Sequence, residues 1–364
     1  MLRGIGKTCF ACAYTWSGAH QMLSKRKAND GFQQPFVVCY HRVVDSFERA
    51  VRNSIPSLLI STAMLERHID WIAKRFCIVS LDDLGLNLEF GHRFPKPAAA
   101  ITFDDGYADL YHHAYPLLKR KGIPAAIFVV TGLVGTGRPQ IFDHLYLLLR
   151  SIHARRIPLA RTVADVLRTD GLQVAALDKL TPKQDEPFSV MTILLNSLPK
   201  ESVQNLIDVF ERRIPVDKEI LQEMAPLTWE MIEKMNRDGI TIGSHTASHS
   251  LLTSENVETA FREVSESKEM LEAKLKTPIK HFAYPDGRFN AAVVEVVKSA
   301  GYRYGYGICR SRDRKLPLMT IGRKVLWERS CINAFGRFSP AVMNCHVHGA
   351  FSRTDWCSHK HSAA

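Results

Sequence analysis

"AAAITFDDGYADLYHHAYPLLKRKGIPAAIFVV", residues 98–130, decides the fold. Its first six residues, 98–103, are a continuous apolar run of the kind that forms a strand buried on both faces. Helical spacing follows over 107–122, and 125–130 is a second apolar run. Continuous apolar strands alternating with helices imply a parallel sheet covered by helices. Where the first strand ends, Asp104 and Asp105 stand side by side, and Gly106 after them frees the backbone to turn.

Outward from this unit the pattern repeats. Strands are expected at 35–40 (PFVVCY), 240–244 (ITIGS) and 280–285 (KHFAYP), and a long helix with i,i+4 charge pairs at 255–276. Each strand is followed by a residue capable of chemistry: His41, the Asp104 and Asp105 pair, His245, and Asp286 with Gly287. In a parallel α/β barrel all strand C-termini open on one face, so these residues converge. Between Gly137 and Leu227 the strands stop, and 138–226 reads as a helical insertion. The organisation expected is a basic N-terminal segment (1–34), the barrel (35–330) with its insertion, and a divergent tail (331–364).

Composition limits the partners. With 46% hydrophobic and 23% charged residues over 364 positions, the chain can bury a sizeable core as one large domain or two smaller ones. A net charge of +11 favours an anionic partner such as an acidic glycan, a lipid-pyrophosphate carrier or a membrane surface. Zinc-finger spacing and RNA-binding signatures are lacking, which argues against nucleic acid. Cys9 and Cys12 form the one close cysteine pair, with no second pair to complete a zinc site, so the eight cysteines read as free thiols suited to a reducing compartment.

The first twenty residues have too broken an apolar stretch for a signal peptide. A cytoplasmic or membrane-peripheral location is therefore expected over a secreted one. An amphipathic helix with Arg3, Lys7 and Lys25-Arg26-Lys27 facing lipid phosphates is the alternative reading of this segment.

In ITIGSHTASHSLL, His245 and His249 stand four apart. That spacing alone says little, because fifteen histidines produce such pairs by chance. Position at a strand end says more: a helical turn there would face both rings one way. Two imidazoles and one carboxylate make a three-ligand site with a position left open, as in catalytic zinc centres. One aspartate then serves as ligand, and its neighbour is free to act as general base.

Thr102-Phe103-Asp104-Asp105-Gly106, Ser244-His245-Thr246-Ala247-Ser248-His249 and Phe282-Ala283-Tyr284-Pro285-Asp286-Gly287, in this order, resemble the NodB-homology polysaccharide deacetylases, carbohydrate esterase family 4. The resemblance implies a deformed (β/α)7-type barrel and hydrolysis of the acetamido group of N-acetylated sugars with one divalent metal ion, usually Zn2+. It implies Asp105, His245 and His249 as metal ligands and Asp104 as base. It also implies Tyr284 and Pro285 around the oxyanion and substrate, through a backbone N–H near Tyr284.

Two departures stand out. Many members of that family carry an arginine in the third motif that orients the base; here the nearest candidates are Arg288 and Arg42. Many also end in a Leu-x-x-His motif that protonates the leaving amine. His68 and His113 fit the letters at Leu65 and Leu110, but both precede the histidine pair. His41, in VVCYHRVVD, resembles the histidine of the subgroup acting on poly-N-acetylglucosamine and is the expected acid, ahead of His346 and His348. The function expected is N-deacetylation of N-acetylhexosamine units in a polysaccharide or lipid-linked glycan. The alternatives are an amidohydrolase of a small cyclic amide and a non-catalytic glycan-binding module.

Overall fold

The computed structural model describes residues 2–18, 35–169, 185–214, 216–308, 313 and 315–351. The chain divides into two compact units, Met1–Phe47 with Ser57–Val134 and Leu227–Ala364, and Glu48–Pro56 with Gly135–Pro226.

Apart from a short parallel pair, β2 (Arg42–Val44) and β3 (Leu59–Ser61), the first unit is built on β1 (Phe36–Tyr40), β4 (Cys77–Ile78), β5 (Ala98–Phe103), β6 (Ala126–Val129), β7 (Thr241–Ser244), β8 (His281–Ala283), β9 (Tyr304–Gly307), β10 (Ile321–Gly322) and β11 (Lys324–Val325). They form one sheet in the order β10-β9-β8-β7-β6-β5-β1-β11, with β4 beside the start of β5. Its pairings are parallel, for example Cys39 opposite Thr102 and Tyr40 opposite Phe103. The two ends of this order, β10 and β11, are separated in the chain by Arg323 alone. Its N–H donates to the Gly307 carbonyl of β9 (2.8 Å), whereas the Leu326 N–H donates to Cys39 of β1 (3.0 Å). Taken as one interrupted strand, β10 and β11 bring the sheet nearly to closure with seven positions, the deformed (β/α)7-type barrel that the resemblance implies.

Side-chain alternation sorts the strands into two cores. Val37, Ala98, Ala100, Ala126, Phe128, Tyr304 and Tyr306 fill the inner face, and Val38, Ile101, Phe103, Ile127 and Val129 pack under the helices. Both faces are buried, which is why the strand sequences are continuously apolar. The expected helix over 107–122 is a widened turn at Leu110–Ala114 followed by a helix, Tyr115–Lys121. Pro116 cannot donate a helical hydrogen bond, and the Tyr115 N–H bonds five residues back to Leu110.

The second unit is helical: Ile141–Ala154, Leu159–Thr169, Pro187–Ser197, Lys200–Arg213 and Lys218–Gln222. Its core includes Leu148, Ile152, Val163, Leu167, Leu194 and Phe210. The six cysteines among the described residues are free thiols, and no described helix is long and apolar enough to cross a membrane.

One of the discounted histidines, His68, lies on the helix Thr62–Arg75, fully buried against Phe338 and sharing a 3.0 Å hydrogen bond with the Tyr40 hydroxyl. Burial, with a smaller contribution from His346, drives its pKa from 6.5 down to about 3. The folded chain thus refuses a proton that the unfolded chain takes up below pH 6.5, so stability from this site is intact above pH 6.5 and lost as pH falls toward 3. The loss amounts to up to about 1.4 kcal/mol per pH unit. Urea unfolding of His68→Phe between pH 6.5 and 5 is expected to show about one proton less uptake than the native chain; an unchanged slope would contradict the assignment.

Candidate active site

The site is assembled at the C-terminal ends of β1, β5 and β7. Asp104 continues β5 by donating its N–H to the Tyr40 carbonyl (2.9 Å). Strand alternation puts it on the inner face with Ala98, Ala100 and Thr102. There its carboxylate meets the guanidinium of Arg323 in a two-pronged ion pair, Nη1 to Oδ1 and Nη2 to Oδ2, both 2.7 Å. The Cys39 thiol donates to Oδ2 at 3.3 Å. Arg323 is itself wholly buried, lies over the Phe128 ring and donates to Thr102 Oγ1. Burial alone would raise the Asp104 pKa, but the Arg323 charge and nearby His245 outweigh it and hold the carboxyl well below its usual range. Asp104 is therefore a fixed carboxylate at neutral pH.

Asp105 points elsewhere. It adopts a left-handed backbone (φ 70°), as does Gly106 (φ 69°), whose missing Cβ would press on Val129. This double turn separates the two acids, and Asp105 Oδ1 comes to lie 3.5 Å from His245 Nε2 and 3.3 Å from His249 Nε2. The His245 Nδ1 donates to the Ala283 carbonyl (2.8 Å), which fixes the tautomer and leaves Nε2 its lone pair. Burial drives the His245 pKa down to about 4, keeping the ring neutral. His249 is half-buried; desolvation lowers its pKa, but its contact with Asp105 prevails and raises it.

The histidines do not sit on the expected helical turn. Residues 246–248 form a tight turn in which Thr246 (φ 67°) and His249 (φ 59°) are left-handed. It is pinned from outside: Ser248 N–H and Oγ both donate to the Glu263 carboxylate, and the N–H groups of Thr131 and Gly132 hold the carbonyls of Thr246 and Ala247. A Cβ on Gly132 would lie 2.6 Å from the Ala247 oxygen, so only glycine allows this approach.

The residues fit a metal ion. Three ligands bound tetrahedrally at about 2.0–2.1 Å from one ion lie about 3.3–3.4 Å apart, which matches the spacing from Asp105 to the two imidazoles. Cys39, His41 and Asp104 form a second group whose donor atoms lie within 4.8 Å of one another. Both Asp104 oxygens are taken by Arg323, and burial pushes the Cys39 thiol well above its ordinary pKa. A cation would have to displace a guanidinium and deprotonate that thiol, so the first group is the better metal site.

His41 follows β1 and stands beside Asp104, half-buried, its Nδ1 without a hydrogen-bond partner among the described residues. Three expectations are corrected. Tyr284 is wholly buried; its N–H donates to Tyr306 (3.0 Å) and its hydroxyl to the Met319 carbonyl (2.9 Å), so neither donor is available to an oxyanion. Pro285, next to it, is buried and has no N–H to offer. Arg42 and Arg288 do not touch the base, because they pair with Asp109 and Asp286. The arginine that pairs with Asp104 is Arg323, which sequence reasoning missed along with Cys39. His346 bonds the Ser330 carbonyl and plays no part in either group.

The near-closed parallel barrel thus carries a carboxylate-histidine triad and a second buried acid at its strand ends. The polysaccharide deacetylase family profile matches residues 91–155 and 183–305, just over half of the chain. The chain belongs to that family. It is 34% identical over 82 residues to the poly-beta-1,6-N-acetyl-D-glucosamine N-deacetylase of Staphylococcus aureus, a match covering 22% of this chain and 28% of that relative. In structure it resembles the Streptococcus pyogenes deacetylase PplD in complex with acetate (TM-score 0.54, 16% identity, 82% of this chain and 94% of that one). IcaB from Ammonifex degensii is similar in fold (TM-score 0.51, 17% identity, 87% of this chain and 98% of that one).

Removing one partner of a buried ion pair leaves the other charged and unsolvated, at about 3–5 kcal/mol. Arg323→Met is expected to destabilise the chain by that order, whereas Arg323→Met combined with Asp104→Leu should recover much of the loss. Chemical unfolding of the two singles and the double measures this; strictly additive effects would contradict the coupling.

Proposed function

We propose that this chain removes N-acetyl groups from N-acetylhexosamine units of a polysaccharide or lipid-linked glycan, using one divalent ion, by preference Zn2+. The observation that carries the reading is the division of the adjacent acids: Asp105 faces two imidazoles, and Asp104 is locked by Arg323. Asp105, His245 and His249 would hold the ion. When bound, it acts as a Lewis acid on the acetyl carbonyl and makes water more acidic.

Asp104 takes the proton from the attacking water as its oxygen adds to the acetyl carbon. Arg323 and Cys39 keep the carboxylate aimed and ionised, so it is ready at neutral pH although it is a weak base. His41 delivers a proton to the nitrogen as the C–N bond breaks, yielding acetate and a free amine. Four non-glycine residues at the site, Asp105, Thr246, His249 and Asp286, hold left-handed backbones, out of six among the described residues. Strain of about 1–3 kcal/mol per residue is retained where geometry serves chemistry, which supports a catalytic reading over a decayed binding module. The charge of +11 suits a glycan presented near an anionic membrane surface or on a lipid-pyrophosphate carrier.

Acetate release from β-1,6-linked N-acetylglucosamine oligomers tests the proposal. Release is expected to stop with chelator and return with added zinc. Asp104→Asn should abolish turnover while keeping metal content near that of the native chain, and His245→Ala should lose the metal. His41→Ala should lower kcat by about 10²–10⁴-fold with metal content retained. Chelator-insensitive release, or loss of metal in Asp104→Asn, would contradict the assignment.

A further inference from the structure

The helix Leu2–Trp16 leaves part of its apolar surface uncovered. Its inward side is mixed: Ala11 packs on Val342 and Cys345 with Tyr14 and Phe351 alongside, Thr15 accepts from Asn344, and Lys7 Nζ donates to the Ser330 carbonyl. The outward side carries Ile5, Cys9, Cys12 and Trp16, which at 100° per residue fall on one stripe. All four are exposed, and Trp16 is 92% accessible.

A second element presents an apolar ring beside it. Ile332 and Phe338 bridge antiparallel, and the tip between them is braced by the Asn333 side chain, which accepts from the N–H groups of Phe335 and Arg337. This tip holds Phe335 84% exposed. Ala334 ties it to the helix by donating its N–H to Thr8 Oγ1 (3.0 Å) and packing against Gly4. A fold gains nothing in water from bracing a phenylalanine outward next to an exposed tryptophan stripe.

Charge identifies the occupant. The stretches 1–29 and 329–354, which contain both elements, have no Asp or Glu, although the chain has 37, and they carry eight Lys and Arg. Arg329 and Arg337 are exposed beside the apolar tip; Lys25-Arg26-Lys27 lie outside the described residues and add charge by their place in the sequence. A second copy of the chain would set this basic surface against itself. We propose that this face, Ile5, Cys9, Cys12, Trp16 and Phe335 framed by basic residues, docks on an anionic lipid bilayer, with the rings at headgroup depth and the cations on lipid phosphates. The inference stands independently of the deacetylase reading.

The test is sedimentation of the full, zinc-loaded chain with phosphatidylcholine vesicles with and without phosphatidylglycerol, alongside the exposed-residue variant Trp16→Ser/Phe335→Ser. Binding is expected only with phosphatidylglycerol, to weaken in about 0.5 M salt, and to fall by at least about tenfold in the variant. Acetate release from a soluble oligomer and thermal melting should stay unchanged in the variant. Absence of vesicle binding, equal binding to neutral vesicles, or equal binding by the variant would overturn the proposal. So would a dimer in solution that the same substitutions dissociate.

Discussion

The buried ion pair between Asp104 and Arg323 is the constraint on which the rest depends. Arg323 is the residue at which the sheet passes from pairing with β9 to pairing with β1, so its backbone closes the barrel. Its side chain runs inward and satisfies the acid at the end of β5 with two short hydrogen bonds. Desolvating both charges is expensive, and only the matched fork geometry, with Thr102 and Phe128 alongside, makes the arrangement tolerable. Closure of the fold and orientation of Asp104 are thus one event: a barrel that failed to bring β10 and β11 between β9 and β1 would leave Asp104 as an unpaired buried charge.

That pairing also separates the two acids. Two neighbouring carboxylates would raise each other's pKa if both faced the same space. The left-handed turn at Asp105 sends the second one to the imidazoles, and Arg323 neutralises the first. The turn after β7 completes the division, since Glu263, Thr131 and Gly132 hold it in a conformation that Thr246 and His249 would not adopt alone.

Much of this was legible in the sequence, because buried parallel strands advertise themselves as apolar runs and place whatever follows them on one face. Strands 1, 5, 6, 7 and 8 and the candidate ligands Asp105, His245 and His249 could be found that way. Arg323 could not: it lies 219 residues from Asp104, between two two-residue strands too short to show a pattern. The only available sign was an arginine flanked by strand-like residues in IGRKV. Tyr284 misled because a tyrosine after a strand looks the same in sequence whether its donors face a cleft or, as here, close onto Tyr306 and Met319. The turn carrying His249 was hidden because its conformation is imposed by side chains from other elements.

In the proposed division of the acids, Asp105 and not Asp104 belongs to the metal. Anomalous X-ray scattering at the zinc edge from crystals of the zinc-loaded chain tests it most directly. The prediction is one peak shared by Asp105, His245 and His249, with Asp104 still forked by Arg323; a peak among Cys39, His41 and Asp104, or an Asp104 oxygen bound to the ion, would contradict it.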